Sequence, residues 1–171
     1  CYHKPDIICL SKGLTGGFLP LGATICSDKI HEAFLTSDKT KTFFHGHSYT
    51  ANPIACTAAL ASLDLFEQET TMENIAELTE AMKNACKRFE KHPVVKTVRS
   101  RGTIFALEVK TTEATEYLNP LAEKVHSFFI ERGIILRPLG NILYVLPPYC
   151  ITEEELEKVM NAVEEFLSKL A

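Results

Sequence analysis

The sequence predicts a mixed helix-and-strand protein built in two parts. Three observations carry that expectation. The first 66 residues alternate short apolar runs with glycine-rich and aromatic turns, and end in a long alanine-rich helix. From residue 67 the pattern changes to amphipathic helices and short strands in the order α-β-β-α-β-β-α, the order of a compact α+β unit. Between the two, Glu67-Gln68-Glu69-Thr70-Thr71 marks the place where the long helix runs out. The boundary is expected near residues 66–72.

Along the chain, Ile7-Ile8-Cys9-Leu10 reads as a short buried strand. Leu21–Cys26 reads as a second, with Pro20 just ahead of it. Ser27 or Asp28 can cap a short helix to about Phe34. Residues 36–42 are polar and loop-like, and Phe43–Tyr49 forms an aromatic turn. Asn52-Pro53 is a strong helix start, because the asparagine caps and proline fits the first helical position. The helix from Pro53 to about Gln68 is apolar nearly all round and is expected to be buried.

In the second part, Ile75, Leu78, Met82, Ala85 and Phe89 recur at helical spacing, and His92-Pro93 ends that helix. Val94–Val98 and Thr103–Val109 read as strands. Leu118, Leu121, Val125 and Phe128 mark a helix with Gly133 as its C-cap. Ile134–Leu136 and Ile142–Leu146 read as strands around a turn at Gly140-Asn141. Thr152 and Glu155 form a capping box. Leu156, Val159, Val163, Phe166 and Leu170 give the stripe of a last helix.

At 171 residues the chain is long enough to bury a core. A net charge of −4 gives no electrostatic case for nucleic acid or an anionic membrane. No apolar run approaches the roughly 20 residues of a membrane-spanning helix. The six cysteines, Cys1, Cys9, Cys26, Cys56, Cys86 and Cys150, are scattered without a C-x-x-C pair. Most sit in apolar surroundings, which suits buried free thiols in a reducing cytoplasm, while the even count leaves disulfides open with little support from the spacing. The chain opens on Cys1, with no methionine and no signal-like stretch, as expected of a piece of a longer protein.

Three places carry chemistry-bearing residues. Lys12 follows the first strand and opens Gly13-Leu14-Thr15-Gly16-Gly17. Burial there would favour the neutral amine, a nucleophile towards carbonyls and pyridoxal phosphate. A surface lysine in a strand-to-loop turn has the same spacing. His45-Gly46-His47-Ser48-Tyr49-Thr50 precedes a helix start, where hydroxyls and backbone N–H groups can cradle a phosphate. Ser48 and Thr50 either hold an anion or merely satisfy the turn. Arg137-Pro138-Leu139-Gly140 puts an arginine at a strand end, suited to a carboxylate or to a structural ion pair. His45 and His47 have no further ligand at metal-site spacing.

Pro5–Gly17 resembles the lysine motif of the class III pyridoxal-phosphate aminotransferases. The His45–Pro53 segment, running into Ile54–Ala59, resembles that family's next motif. Arg137–Tyr149 resembles the branch that works on 8-amino-7-oxononanoate, over the ornithine, acetylornithine and GABA types. The resemblance covers essentially the whole chain. It implies an α/β protein of the aspartate aminotransferase-like fold type I: residues 1–66 as the tail of the large cofactor-binding domain, and 67–171 as the small C-terminal domain. Lys12 would bind pyridoxal 5'-phosphate as a Schiff base and then shuttle a proton. Ser48 would hold the cofactor phosphate of a neighbouring subunit in a homodimer. Gly46, His47, Arg137 and Tyr144 would contact substrate, with Arg137 on its carboxylate. S-adenosylmethionine would be the amino donor, and the product 7,8-diaminononanoate. The family's pyridinium-pairing aspartate, its phosphate loop and its stacking aromatic have no counterpart in this sequence, and Asp6 is too near Lys12 to replace the first. The chain alone is therefore expected to lack useful transaminase activity. Two other readings stay open: another class III ω-aminotransferase, and a non-enzymatic α+β interaction module.

Overall fold

A computed structural model describes residues 3–112 and 117–171. The chain divides into two compact units, Cys1–Glu69 and Thr70–Ala171.

In the first unit, β1 (Ile7–Leu10) pairs antiparallel with β2 (Ala23–Cys26), in the register Ile7↔Cys26 to Leu10↔Ala23. A 3-10 turn, Lys12–Thr15, follows β1. The short helix α1 (Asp28–Glu32) and a second 3-10 turn, Lys39–Lys41, lead to α2 (Pro53–Glu67). Asn52 starts α2, its Oδ1 accepting from the N–H groups of Ile54 at 3.0 Å and Ala55 at 3.2 Å. The expectation of burial fails here. Ile7 is 53% exposed and β1 and β2 are exposed throughout. On α2 only Ala55 and Ala59 are buried, one turn apart, where the helix packs against the Lys12–Thr15 turn. A two-stranded sheet and one long helix provide too few layers to cover both faces of either.

The second unit has a real core. Helix α3 (Glu69–Phe89) precedes an antiparallel sheet in the order β3 (Val95–Arg101), β4 (Ile104–Val109) and β5 (Ile142–Val145). Helices α4 (Leu121–Ile130) and α5 (Glu153–Ser168) complete it. Met82, Phe89, Phe105, Leu107, Phe129 and Leu167 are fully buried. Arg88 of α3 ties to Glu157, Asn161 and Glu164 of α5. The Thr152–Glu155 capping box forms as the sequence predicts.

Two elements differ from expectation. Helix α4 begins at Leu121 rather than Leu118, because Pro120 has no N–H to continue a helix and Asn119 Oδ1 caps the Leu121 N–H at 3.0 Å. Its end follows the glycine rule: Gly133 takes φ +70°, with Ile134 N–H on the Phe129 carbonyl and Gly133 N–H on that of Ile130. Ile134–Leu136 keeps a strand's alternating burial, with Ile134 and Leu136 buried and Ile135 exposed, but joins no ladder. The second edge of β4 is taken by β5, and the backbone of this run bonds back to α4 through Ile134 N–H rather than to a strand. No helix among the described residues is long and apolar enough to cross a membrane. The described cysteines are free thiols; Cys9, Cys26 and Cys150 are exposed and Cys56 and Cys86 partly so, against the expected burial. Cys1 lies outside the described residues.

Candidate functional site

Lys12 sits where β1 ends and the chain must turn sharply. Its φ is +39°, a left-handed conformation that side-chain-bearing residues avoid. Gly16 and Gly17, at φ +60° and +84°, complete the reversal. Thr15, one of the few buried residues of this unit, donates its hydroxyl to the Leu19 carbonyl and accepts the Leu19 N–H, closing the loop that carries Lys12. Lys12 itself is exposed, against the burial the sequence predicts. Asp6 is engaged elsewhere: its carbonyl accepts the Ser27 N–H at 2.9 Å, and Ser27 Oγ donates to its carboxylate at 3.4 Å.

Lys12 lines a cavity of about 1180 Å³, large enough for a cofactor the size of a pyridoxal ring with its phosphate. The same walls hold His45, His47, Tyr49, Thr50 and Asn52. Lys12 and the His45–Asn52 turn, 33 or more residues apart, therefore share one space. Gly46 and Ser48 belong to the same turn but are not among the lining residues. A free amine beside imidazoles, hydroxyls and a glycine-rich backbone is a donor set that fits an aldehyde-bearing phosphate monoester.

The turn before α2 is tightly bonded. The His47 N–H donates to Thr50 Oγ1 at 2.9 Å, the Thr50 N–H to the His47 carbonyl at 2.9 Å, and the Tyr49 N–H to His47 Nδ1 at 3.1 Å. Ala51 turns through φ +53° to reach Asn52. The anion cradle is thus narrower than the sequence predicts. Asn52 takes the first helical N–H groups, and the Thr50 oxygen is spent on the turn. Ser48 is exposed, and among the described residues its N–H and hydroxyl have no partner.

In the second unit, Arg137 is exposed and lies in the irregular run before β5, not at a strand end as expected. Its guanidinium donates to the Tyr117 hydroxyl at 3.4 Å, and that bond, with Tyr117 and Tyr144 close by, holds it more firmly protonated than a free arginine. Tyr144 is half-buried on β5. The two-residue turn at Gly140-Asn141 fixes this stretch. Gly140 takes φ +62° at its first central position. Buried Asn141 donates its Nδ2 to the Val109 carbonyl at 2.8 Å and accepts the Val109 N–H at 2.9 Å. Tyr117 escaped the sequence reading, since it stands outside any motif and 20 residues from its partner.

The aminotransferase class-III family profile matches residues 2–167. The adenosylmethionine-8-amino-7-oxononanoate aminotransferase of Synechococcus elongatus is 43% identical over 168 residues, covering 98% of this chain and 39% of the relative. The crystal structure of the Methanocaldococcus jannaschii enzyme of the same name superposes with a TM-score of 0.87 at 37% identity, over 97% of this chain and 39% of that one. An amine transaminase from an uncultivated Pseudomonas species, in its PLP-bound form, superposes with a TM-score of 0.80 at 31% identity, over 98% and 39% respectively. The chain spans about two fifths of the length of the relatives it matches.

Proposed function

The chain belongs to the class-III aminotransferase family, and from that premise we propose that it carries the lysine and the substrate-carboxylate arm of a pyridoxal-phosphate transaminase. That enzyme would move an amino group from S-adenosylmethionine to the ketone of 8-amino-7-oxononanoate, yielding 7,8-diaminononanoate for biotin synthesis. The names of the relatives, adenosylmethionine-8-amino-7-oxononanoate aminotransferases, support this substrate pair. The observation that carries the reading most directly is Lys12 itself. A non-glycine residue held at φ +39° on the wall of a cavity is strain kept where positioning matters.

Each residue has a distinct task in this reading. Pyridoxal phosphate, when bound, supplies an electron sink beside the amine-bearing carbon. Lys12 Nζ holds the cofactor and, once released, carries the proton on and off the substrate carbon. Ser48 offers its N–H and Oγ to the phosphate across a homodimer contact. Arg137 grips the acceptor carboxylate through two parallel N–H bonds, with Tyr144 along the pocket wall. Gly46 lets the backbone come close to substrate, and His47 faces it. Residues 1–66 are read as the end of the large domain and 67–171 as the small domain of a cytoplasmic enzyme. A further part of the proposal is that this chain alone lacks useful transaminase activity.

Borohydride reduction of the chain mixed with pyridoxal phosphate, followed by peptide mapping, tests the reading. Selective pyridoxyl labelling of Lys12 over the other lysines is the expected outcome. Label spread evenly over surface lysines would remove the special role given to Lys12.

A further inference from the structure

Burial in the first unit is confined to one place. Among its described residues only Thr15, Ala55 and Ala59 are buried. The two alanines lie one turn apart on α2, where it packs against the Lys12–Thr15 turn. Thr15 is the polar one of the three, only 4% exposed, and it closes the turn that Lys12 opens. Its hydroxyl serves as donor and acceptor at once, giving its proton to the Leu19 carbonyl and taking the Leu19 N–H at 3.3 Å. The Phe18 N–H on the Thr15 carbonyl, at 3.1 Å, draws in the same segment. On the other side of Lys12 the fastening is lighter: exposed Ser11 makes a single bond, from its Oγ to the Leu21 carbonyl at 3.3 Å.

We infer that Thr15 is a positioning residue for Lys12: its buried hydroxyl holds residues 15–19 closed against α2, and so keeps Lys12 left-handed with its side chain on the cavity wall. The inference deepens the reading of Lys12 as the cofactor-bearing lysine and rests on that reading for its purpose. A residue with a side chain leaves φ +39° unless its surroundings hold it there. Gly16 and Gly17, at φ +60° and +84°, permit the reversal but do not enforce it, because glycine takes many other conformations as readily. Enforcement needs a bonded group that is itself immobile, and Thr15 is the buried one in the turn. Valine fills nearly the same space and makes neither bond, whereas serine keeps both.

The test is NMR on the ¹⁵N-labelled chain, with pyridoxylation as a second readout. A left-handed residue brings its own N–H and Hα close together, so Lys12 should show a strong intraresidue NOE. Thr15→Val should weaken that NOE and speed exchange of the Leu19 amide about fivefold, as expected for the loss of one hydrogen bond. Thr15→Ser should preserve both signals. Thr57→Val removes a like hydroxyl from α2, one that donates to the Pro53 carbonyl at 2.8 Å, and should change neither. After borohydride reduction with pyridoxal phosphate, the share of label on Lys12 relative to Lys29, Lys39 and Lys41 should fall in Thr15→Val alone. A Leu19 amide that already exchanges as fast as an exposed loop overturns the clasp, and needs no variant to show it. A Lys12 NOE that stays strong in Thr15→Val, or weakens equally in Thr57→Val, overturns the hold on Lys12. A weakened NOE with an unchanged label share overturns the positioning of the amine. Label spread evenly over the lysines of the unsubstituted chain would sink the cofactor reading of Lys12, while the NOE and the Leu19 amide still decide the clasp.

Discussion

The Arg137 guanidinium donates to the Tyr117 hydroxyl at 3.4 Å, joining two residues 20 apart in sequence. A long bond of that kind restrains the arginine without consuming it, since a guanidinium has five donors. One face of the fork is left for a carboxylate.

Replacing Arg137 therefore has a selective effect. In an active transaminase containing this chain, Arg137→Ala should lower kcat/KM about 10- to 100-fold for a carboxylate-bearing acceptor and barely affect a carboxylate-free ketone. Arg137→Lys should recover only part, because an ammonium lacks the parallel fork. Steady-state kinetics on the two substrates checks it; equal losses on both would point to a structural arginine.

Ser48→Ala should weaken retention of pyridoxal phosphate roughly tenfold, as expected for one hydrogen bond to a charged group. Ser48→Thr should keep it. Equilibrium dialysis at fixed pH measures this directly. Identical retention in Ser48→Ala would assign the phosphate to other donors.

How far these roles were legible depends on the range of the forces involved. The helix caps were readable at Asn52, Gly133 and Thr152, because each is settled by neighbours within a few residues. The late start of α4 is a local matter of Asn119 and Pro120, but the other failures turn on what lies across space. Ile7, Ile8 and Leu10 carry a buried strand's composition, yet burial needs a covering layer that local sequence does not report. Ile134–Leu136 has a strand's alternation but pairs with no strand, its Ile134 N–H going to the Phe129 carbonyl instead. At the candidate site, Lys12, His47 and Arg137 were visible as residue types in motifs, while the partnership of Arg137 with Tyr117 and the donation of Tyr49 N–H to His47 Nδ1 were not.

Acid should erode the α4–α5 contact in a defined window. Arg132 first, then Lys169, bond to Glu165 and hold its carboxyl down to about 2 from the usual 4.5. A carboxylate depressed on folding contributes stability above the unfolded value, and that contribution is lost as pH falls from about 4.5 through about 2. Glu165→Gln should flatten the pH dependence of Tm in that interval. An unchanged profile would mean the ion pair survives in the unfolded chain or does not form in the folded one.

Phe129 is fully buried against Phe128 and Phe166, with ring centroids 5.2 Å and 5.9 Å away. Phe129→Ala should cost about 3–5 kcal/mol through lost transfer and an unfilled cavity. Urea unfolding followed by circular dichroism would show it as a lower midpoint with an unchanged slope. A loss below about 1 kcal/mol would mean that the aromatic cluster relaxes into the gap.

The Arg88 clamp on α5 has a consequence for the order of events during synthesis. Its partners Glu157, Asn161 and Glu164 follow it by 69 to 76 residues. The side chains that seal the second unit, Met160, Val163, Phe166 and Leu167, are in that same helix. On the ribosome, α3 and the β3–β4 hairpin emerge first, α4 and β5 join their core next, and the core is complete only when residue 167 has cleared the exit tunnel. Until then apolar surface stays open, and a stall upstream of α5 leaves the second unit without the helix that completes its core.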